Sequence, residues 1–378
     1  MLNHTFPAEP TARSLPAKVL IVDDSVVARG LFSRWIDERP GLSVVGAASD
    51  GKGAVRSAAS LQPDIVILDL DMPIMDGLTA LPEILKVSPG SAVIIASSLT
   101  ARSAQLSMQC LALGAVDVQP KPESNRDITI SRSFRQELVA KLEGLVETTR
   151  RNRRCGNWQD AMRSDLAGHA DPGRTGRSAL RFEVTPRILL IGASTGGPRA
   201  ILDFLVNLGP STLRLPIVIA QHMPALFTAS LAEQLQAHLK RPVREAIHGE
   251  APMPGLIYVA PGGRHLRLDK EPAPRLMIDD SDPVRFCRPS VDLLFSDAAA
   301  VYGASALAVV LTGMGSDGLN GARALHKAGA CILVQDEASS VVWGMPGAIR
   351  RAGLAHEALP PDRLGSLVGV ALSSGARP

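Results

Sequence analysis

A serine flanked by glycines lies where an apolar run gives way to a helical pattern. The stretch ILLIGASTGGPRAIL places Ser194 in a Gly-x-Ser-x-Gly arrangement between Gly192 and Gly196. On a turn from a strand into a helix, this spacing exposes the serine hydroxyl so that it can attack. A phosphate loop is disfavoured, because the stretch matches neither Gly-x-Gly-x-x-Gly nor a Walker motif and no lysine follows.

A nucleophilic serine needs a base, and the base needs a third group that orients it. His222 ends the apolar run LPIVIAQ, which predicts a position at the same sheet edge as Ser194. It is favoured over His265, which follows another predicted strand in APGGRHL. Asp317, in the turn MGSDGLNG, is the candidate orienting acid, and a helix cap is its competing interpretation. The glycines around Met314 could present N–H groups to an oxyanion.

A second set of polar residues lies at the carboxyl ends of the predicted strands in the first half. They are Asp23, Asp24, Asp69, Asp71, Ser97 and Lys121. Clustered carboxylates stay ionised best around a hard cation such as Mg²⁺. A carboxylate beside that cation can attack phosphorus, and a lysine can stabilise the transferred group. Each acid alone would be interpreted as a solvated loop residue, but their combined placement indicates phosphoryl transfer.

Alternating strand and helix patterns must position both sets of residues. Five apolar runs of strand length occur in each half, from KVLIVDD to AVDVQP and from RILLIG to ACILVQD. Helical patterns separate them, which indicates an α/β protein with two doubly wound parallel sheets. We predict an N-terminal tail over 1–16, a first domain over 17–147, a linker over 148–186 and a second domain over 187–378.

Composition excludes several classes of protein. The predicted linker carries eight arginines against three aspartates and one glutamate, while the whole chain has a net charge of only +3. With 3% aromatic residues as well, the chain is not expected to bind nucleic acid. The four cysteines form no CxxC pair, which argues against a zinc site and indicates a reducing cytoplasm. No apolar run reaches the roughly 18–20 residues of a membrane span, so membrane insertion is not expected.

Residues 17 to about 125 resemble a response-regulator receiver domain, with the flavodoxin-like fold of that family. The resemblance rests on VLIVDDS, ILDLDMPIMDGL, IIASSLT and the KP after the last predicted strand. It implies that a histidine kinase supplies a phosphoryl group to Asp69, that Lys121 pairs with this group and that Ser97 senses it. It also implies a Mg²⁺ site formed by Asp23, Asp24, Asp69 and the backbone carbonyl of Asp71.

Residues 187 to about 360 resemble the catalytic domain of the chemotaxis protein-glutamate methylesterases, which is Rossmann-like. The matching stretches include IGASTGGP, QHMPALFTASLAEQL, RPSVDLLFSDAA and LTGMGSDGLNGARAL. By this resemblance Ser194 is the nucleophile, His222 the base and Asp317 its orienter. Thr195 and Met314 fall where the family places supporting contacts and oxyanion stabilisation. The long, arginine-rich linker departs from the family pattern.

The two resemblances together imply a cytoplasmic, phosphorylation-activated serine esterase. It would demethylate γ-glutamyl methyl esters on chemoreceptors and deamidate certain glutamines, with Mg²⁺ in the receiver and no cofactor for ester hydrolysis. The unphosphorylated receiver would cover the active-site edge. Two alternatives stay open at this point: a regulated serine hydrolase with another substrate, and a phosphorylation-dependent binding module.

Overall fold

The structure is a computed structural model that describes residues 15–122, 131–155, 180–209 and 214–374. Nearly all of the predicted N-terminal tail and residues 156–179 of the predicted linker lie outside these ranges. None of the helices within them combines the length and the apolar character that a membrane span requires.

The first half of the chain forms a five-stranded sheet in the order β2-β1-β3-β4-β5, with every neighbouring pair parallel. Its strands are β1 (Ala17–Val22), β2 (Leu42–Ala48), β3 (Ile65–Asp69), β4 (Ala92–Ser98) and β5 (Asp117–Lys121). The apolar runs are buried between helices, as parallel sheets require. The predicted doubly wound topology of this half is confirmed.

Within the described ranges five helices accompany this sheet, and short polar side chains cap the starts of four of them. The helices are α1 (Val26–Asp37), α2 (Gly51–Leu61), α3 (Gly77–Val87), α4 (Ala101–Leu113) and α5 (Arg132–Cys155). The side chains of Ser25, Asp50, Asp76 and Thr100 accept hydrogen bonds from backbone N–H groups in the first turns of α1 to α4. These caps satisfy donors that a helix start leaves without partners.

The second half forms a seven-stranded sheet in the order β14-β13-β12-β6-β7-β9-β8, again with parallel pairs. Its strands are β6 (Ile188–Ala193), β7 (Ile217–Gln221), β8 (Val243–Glu245), β9 (Ile257–Val259), β12 (Ala306–Val310), β13 (Cys331–Gln335) and β14 (Glu357–Leu359). An antiparallel hairpin stands apart from it, formed by β10 (His265–Asp269) and β11 (Arg275–Asp279).

The helices of the second half pack on this sheet around two buried apolar clusters. They are α6 (Gly197–Val206), α7 (Ala225–Leu239), α8 (Val291–Tyr302), α9 (Leu319–Lys327), α10 (Met345–Arg351) and α11 (Pro361–Ser374). The five strands predicted for this half correspond to β6, β7, β9, β12 and β13. The edge strands β8 and β14 and the hairpin are additional.

Helix α5 differs from the sequence-based expectation. It continues to Cys155, eight residues into the segment predicted as a linker from residue 148 onward. Its buried residues Leu142, Leu145 and Val146 belong to an apolar cluster that also contains Val342 of the second half. This part of α5 thus packs against the second half, and packing of an apolar face supplies most helix stability in proteins.

Candidate active site

Ser194 directly follows β6, which lies inside the second sheet between β12 and β7. Its N–H donates to the carbonyl oxygen of Thr312 at 3.0 Å, and its carbonyl oxygen accepts from Nε2 of Gln221 at 2.9 Å. Gly196 adopts a φ of +79° at the start of α6 and so turns the chain from strand into helix. The predicted strand-to-helix turn is present, and its left-handed residue is Gly196.

The backbone under Ser194 is tightly packed. A Cβ atom on Gly313 would lie 2.8 Å from Cβ of Ser194 and 3.0 Å from its backbone nitrogen. These separations are shorter than ordinary van der Waals contacts, so only a glycine fits here without moving the serine. Gly313 thus fixes the turn that presents Ser194.

His222 follows β7, the neighbour of β6. Its N–H donates to the carbonyl oxygen of Ala193 at 3.0 Å, which extends the strand pairing by one residue and brings His222 beside Ser194. Its Nε2 lies 2.8 Å from Oδ2 of Asp317. A carboxylate only accepts, so Nε2 carries the hydrogen and Nδ1 is left to take a proton. In the described part of the chain, no hydrogen bond joins the Ser194 hydroxyl to His222.

Asp317 is buried in the loop between β12 and α9, and it also caps helix α8. Its Oδ2 accepts from the N–H of Val291 at 2.7 Å, and its Oδ1 accepts from the N–H of Asp292 and the hydroxyl of Ser290, each at 2.9 Å. Burial opposes its ionisation, but the hydrogen bonds from His222 and from the α8 start hold the pKa of Asp317 below its usual range. Asp317 therefore stays ionised beside the imidazole.

His265, the rival candidate for the base, occupies a different position. It is fully buried at the start of β10, where Nδ1 accepts from the N–H of Ser290 at 3.2 Å and Nε2 lies 3.1 Å from the carbonyl oxygen of Asp282. Both ring nitrogens are therefore engaged with the backbone, and neither is available to take a proton from a serine.

A residue that the sequence reasoning missed stands beside the histidine. Cys287 offers a sulfur that lies within 4.8 Å of both a ring nitrogen of His222 and a carboxylate oxygen of Asp317. Burial disfavours the charged imidazole, but the contacts with Asp317 and Cys287 outweigh it and raise the pKa of His222 to about 10. No local sequence signal marks Cys287, because its partners come from other segments of the chain.

The two predicted supporting residues face the first half of the chain. Thr195 is buried, and its hydroxyl donates to Oδ2 of Asp117 in β5 at 2.7 Å. The N–H of Gly196 donates to the carbonyl oxygen of Val116 at 3.0 Å. Met314 is partly buried in the apolar cluster that includes α5. The first half of the chain thus contacts the two residues that follow Ser194.

The predicted phosphoryl-transfer residues also converge. Carboxylate oxygens of Asp23, Asp24 and Asp69 lie within 4.8 Å of one another, a spacing that fits a hard divalent cation. Nζ of Lys121 lies 2.7 Å from Oδ2 of Asp69 and 3.1 Å from Oδ2 of Asp23. Burial raises the pKa of Asp69 to about 6, and the Lys121 ammonium limits the rise. A bound cation would add to this stabilisation of the ionised form.

The remaining two predicted residues lie at the periphery of this cluster. Asp71 is exposed in the loop after β3. Ser97 is buried at the end of β4, where its hydroxyl shares a hydrogen bond of 2.9 Å with the hydroxyl of Ser107 in α4. The structure thus links Ser97 to the helix that packs against α7 of the second half.

Comparison with known proteins adds independent findings. Residues 189–368 match the family described as CheB methylesterase, and residues 19–131 match the response regulator receiver domain. A protein-glutamate methylesterase/protein-glutamine glutaminase of group 2 operon from Rhodopseudomonas palustris is 43% identical, with 98% of each chain covered. One from Maricaulis maris is 42% identical, with 95% of this chain and 96% of the other covered. The Thermotoga maritima CheB methylesterase catalytic domain, known from a crystal structure, is 39% identical in sequence. That match covers 49% of this chain and 98% of the other, with a TM-score of 0.47.

The fold and these matches define a class of protein, a response regulator whose output domain is a methylesterase. The similarity to the curated relatives extends over nearly the whole chain. The chain belongs to the CheB family of protein-glutamate methylesterases.

Proposed function

We propose that this chain is a phosphorylation-activated esterase that hydrolyses γ-glutamyl methyl esters on chemoreceptors and deamidates certain receptor glutamines. The observation that carries the proposal is the convergence of Ser194, His222 and Asp317 at one sheet edge of a chain in the CheB family. The proposed partners are a chemotaxis histidine kinase and the methylated cytoplasmic part of a chemoreceptor. The proposed site of action is therefore the cytoplasm.

In the proposed mechanism Ser194 attacks the carbonyl carbon of the ester. His222 takes the hydroxyl proton and later gives it to the departing methanol, while ionised Asp317 stabilises the imidazolium. Water then hydrolyses the acyl-enzyme by the same route. Backbone N–H groups at Thr195 and Met314 are the proposed donors to the oxyanion, where removal of one donor typically costs about 10²- to 10³-fold in rate.

The receiver site supplies the proposed control. Asp23, Asp24 and Asp69 would hold Mg²⁺ together with the backbone carbonyl of Asp71, and the cation would neutralise charge on the incoming phosphoryl group. Asp69 would accept that group. Lys121, which lies within 3.1 Å of both Asp23 and Asp69, would re-pair with the phosphoryl oxygens, and Ser97 would respond to them.

The domain contact supports a covered resting state. The hydrogen bonds from Thr195 to Asp117 and from Gly196 to Val116 hold the turn after the nucleophile against the receiver. Phosphorylation of Asp69 would favour a state in which these bonds open. Phosphorylation can favour the open state only if it stabilises that state more than the covered one. The receiver must therefore differ between the two states at β5 or α4, which contact the second half.

The test is release of methanol from methylated receptor membranes, with and without a small phosphodonor. We expect slow release by the full-length chain, faster release after phosphodonor and none by Ser194→Ala. Asp69→Asn is the matched control, since it should retain the slow release and lose the response. Methanol release by Ser194→Ala would overturn the proposed nucleophile. Intact hydrolysis of other esters without methanol release from receptors would overturn the proposed substrate.

A further inference from the structure

Three side chains at the esterase site form a set of possible metal ligands, and one of them has no task in the proposed chemistry. One ring nitrogen of His222, the sulfur of Cys287 and one carboxylate oxygen of Asp317 all lie within 4.8 Å of one another. Ester hydrolysis uses the histidine and the aspartate, and it assigns no task to the thiol. The three donors are nitrogen, sulfur and oxygen atoms of the types that bind Zn²⁺.

The geometry points to an inhibitory Zn²⁺ site formed by His222, Cys287 and Asp317. Three protein ligands leave a fourth tetrahedral position for water, as in Zn²⁺ sites that keep an open position. A cation here would take the place of the proton on the histidine ring and hold the imidazole in the coordination sphere. The esterase would then lack its base, so binding of the metal and hydrolysis would exclude each other.

The backbone before Cys287 is held in an unfavourable conformation, with the thiol beside His222 and Asp317. Val284 and Cys287 exchange two backbone hydrogen bonds of 3.1 and 2.9 Å across a tight turn. The turn residues Arg285 and Phe286 have φ values of +51° and +65°, a region that costs residues with a Cβ about 1–2 kcal/mol each. Nη1 of Arg285 anchors the turn by donating to Oγ of Ser316 at 2.6 Å.

The ligands would have the outer contacts that metal sites require. Asp317 accepts hydrogen bonds from Ser290, Val291 and Asp292 at 2.7–2.9 Å, which fix the orientation of its carboxylate. Such contacts orient the ligands of protein metal sites, and their loss commonly costs about 10- to 100-fold in metal affinity. His222 is 14% exposed through its side chain, and Cys287 is half-buried, so an ion can reach both from solvent.

Cys110 and Cys331 lack this environment. Burial raises the pKa of the Cys110 thiol and the pKa of the Cys331 thiol to about 12 each, and neither belongs to a cluster of metal-ligating residues in the described ranges. The absence of CxxC spacing predicted that the chain holds no zinc site. That argument concerns ligands close together in sequence, whereas this set is assembled from three separate segments.

Binding is tested first without reference to catalysis. The full-length Ser194→Ala chain is titrated with Co²⁺, a probe for tetrahedral Zn²⁺ sites, under a non-chelating reductant and with excess Mg²⁺ to occupy the acidic receiver cluster. We expect a thiolate-to-cobalt charge-transfer band that saturates at one equivalent and is abolished by Zn²⁺. Adding Cys287→Ser should abolish the band, and the matched substitution Cys331→Ser should retain it.

His222→Ala supplies a second variant in case Cys287→Ser does not fold. It should weaken Co²⁺ binding by more than about 100-fold, because it removes a direct ligand and not merely an outer contact. A band that survives both substitutions, or no band in the Cys331→Ser control, would overturn the site. Neither result depends on whether the chain is an esterase.

Inhibition is tested second, and this part rests on the proposed function. Zn²⁺ should lower methanol release by the full-length chain, a chelator should restore it, and Cys287→Ser should respond at least about 10-fold less to the same Zn²⁺ concentration. Equal inhibition of Cys287→Ser would overturn the inhibitory role. If neither the full-length chain nor Cys287→Ser released methanol, the proposed esterase function would be refuted. The cobalt band would still decide whether the metal site exists.

Discussion

The hydroxyl of Thr195 donates a hydrogen bond to Oδ2 of Asp117 at 2.7 Å, and the two residues belong to different domains. Asp117 also forms an ion pair with Nζ of Lys141 at 3.1 Å. A hydrogen bond to an ionised group contributes about 1.5–3 kcal/mol. This contact couples the receiver to the residue that follows the nucleophile.

Asp117→Ala should release the turn that carries Ser194. We expect the unphosphorylated chain to gain activity and the stimulation by phosphodonor to shrink, within the roughly 5- to 150-fold range of typical coupling energies. Methanol release with and without phosphodonor measures both effects. Gln234→Leu is the control, because it removes a hydrogen bond across the interface, from Nε2 of Gln234 in α7 to the carbonyl oxygen of Met108 in α4, that involves no residue of the turn. Equal activation by both variants would mean that the interface as a whole, and not this contact, restrains the enzyme.

Deleting the receiver and blocking its phosphorylation should have opposite effects. A fragment that begins at Leu180 lacks both Asp117 and α5, so it should release methanol without phosphodonor and faster than the unphosphorylated full-length chain. Asp69→Asn keeps the cover and loses the acceptor, so its rate should stay low under all conditions. A folded fragment that is no faster than the full-length chain would contradict control by covering.

The two candidate histidines should respond differently to truncation. His222→Ala removes the proposed base and should lower turnover by on the order of 10⁴-fold with little change in melting temperature. His265→Ala leaves the N–H of Ser290 and the carbonyl of Asp282 without a buried partner, so it should cost about 1–3 kcal/mol of stability and retain turnover. Thermal melts and methanol assays together separate the two roles. Loss of turnover in folded His265→Ala alone would reverse the assignment.

The pH dependence of hydrolysis should be shifted to the alkaline side. The pKa of His222 is raised to about 10, and a protonated imidazole cannot accept the proton of Ser194. In the unphosphorylated chain kcat/KM should therefore fall as pH drops below that value, with Ser194→Ala subtracted as the uncatalysed background. Cys287→Ser removes one of the groups that raise the pKa and should move the profile to lower pH. A midpoint near the usual histidine value of about 6.5 would contradict this.

Gly313→Ala should damage catalysis more than stability. Its new Cβ would lie 2.5 Å from Sδ of Met345, the end of a flexible side chain that can move aside, but also 2.8 Å from Cβ and 3.0 Å from the backbone nitrogen of Ser194, so the serine must shift. A displacement of about 1 Å near the reacting groups can cost on the order of 10²-fold in rate. Gly315→Ala is the control. It imposes backbone strain in the same loop, at a φ of +80°, but its Cβ meets no atom within 4 Å and so does not crowd the serine. Equal loss of kcat in both variants would count against a role for crowding at Ser194.

Much of this architecture could be predicted because it follows from local patterns. Continuous short apolar runs such as Ile188–Ala193 are typical of buried strands, and the carboxyl ends of parallel strands meet at one edge. That rule alone brought Ser194 and His222 together. The three-residue strands β8 and β14 escaped prediction, because such short edge strands have no periodicity to detect.

Contacts between distant segments could not be predicted from one sequence. Nothing near Cys287 indicates His222, and nothing near Asp117 indicates Thr195. The part of α5 that precedes the arginines packs against Val342 of the second half, a contact that the sequence does not indicate, and the continuation of the helix to Cys155 was interpreted as a linker. In each case the deciding interaction is tertiary.

The carboxylate of Asp317 closes the first turn of α8 as well as facing His222. An enzyme usually can lose an active-site side chain and keep its fold, and sometimes gains stability by doing so. Here the same two oxygen atoms also accept hydrogen bonds from the first N–H groups of α8. Loss of such a helix cap typically costs about 1 kcal/mol of stability. A descendant of this chain that had abandoned ester hydrolysis would still be selected to keep the aspartate. Its presence in a sequence is therefore evidence of an intact helix start, and activity must be judged from the serine and the histidine.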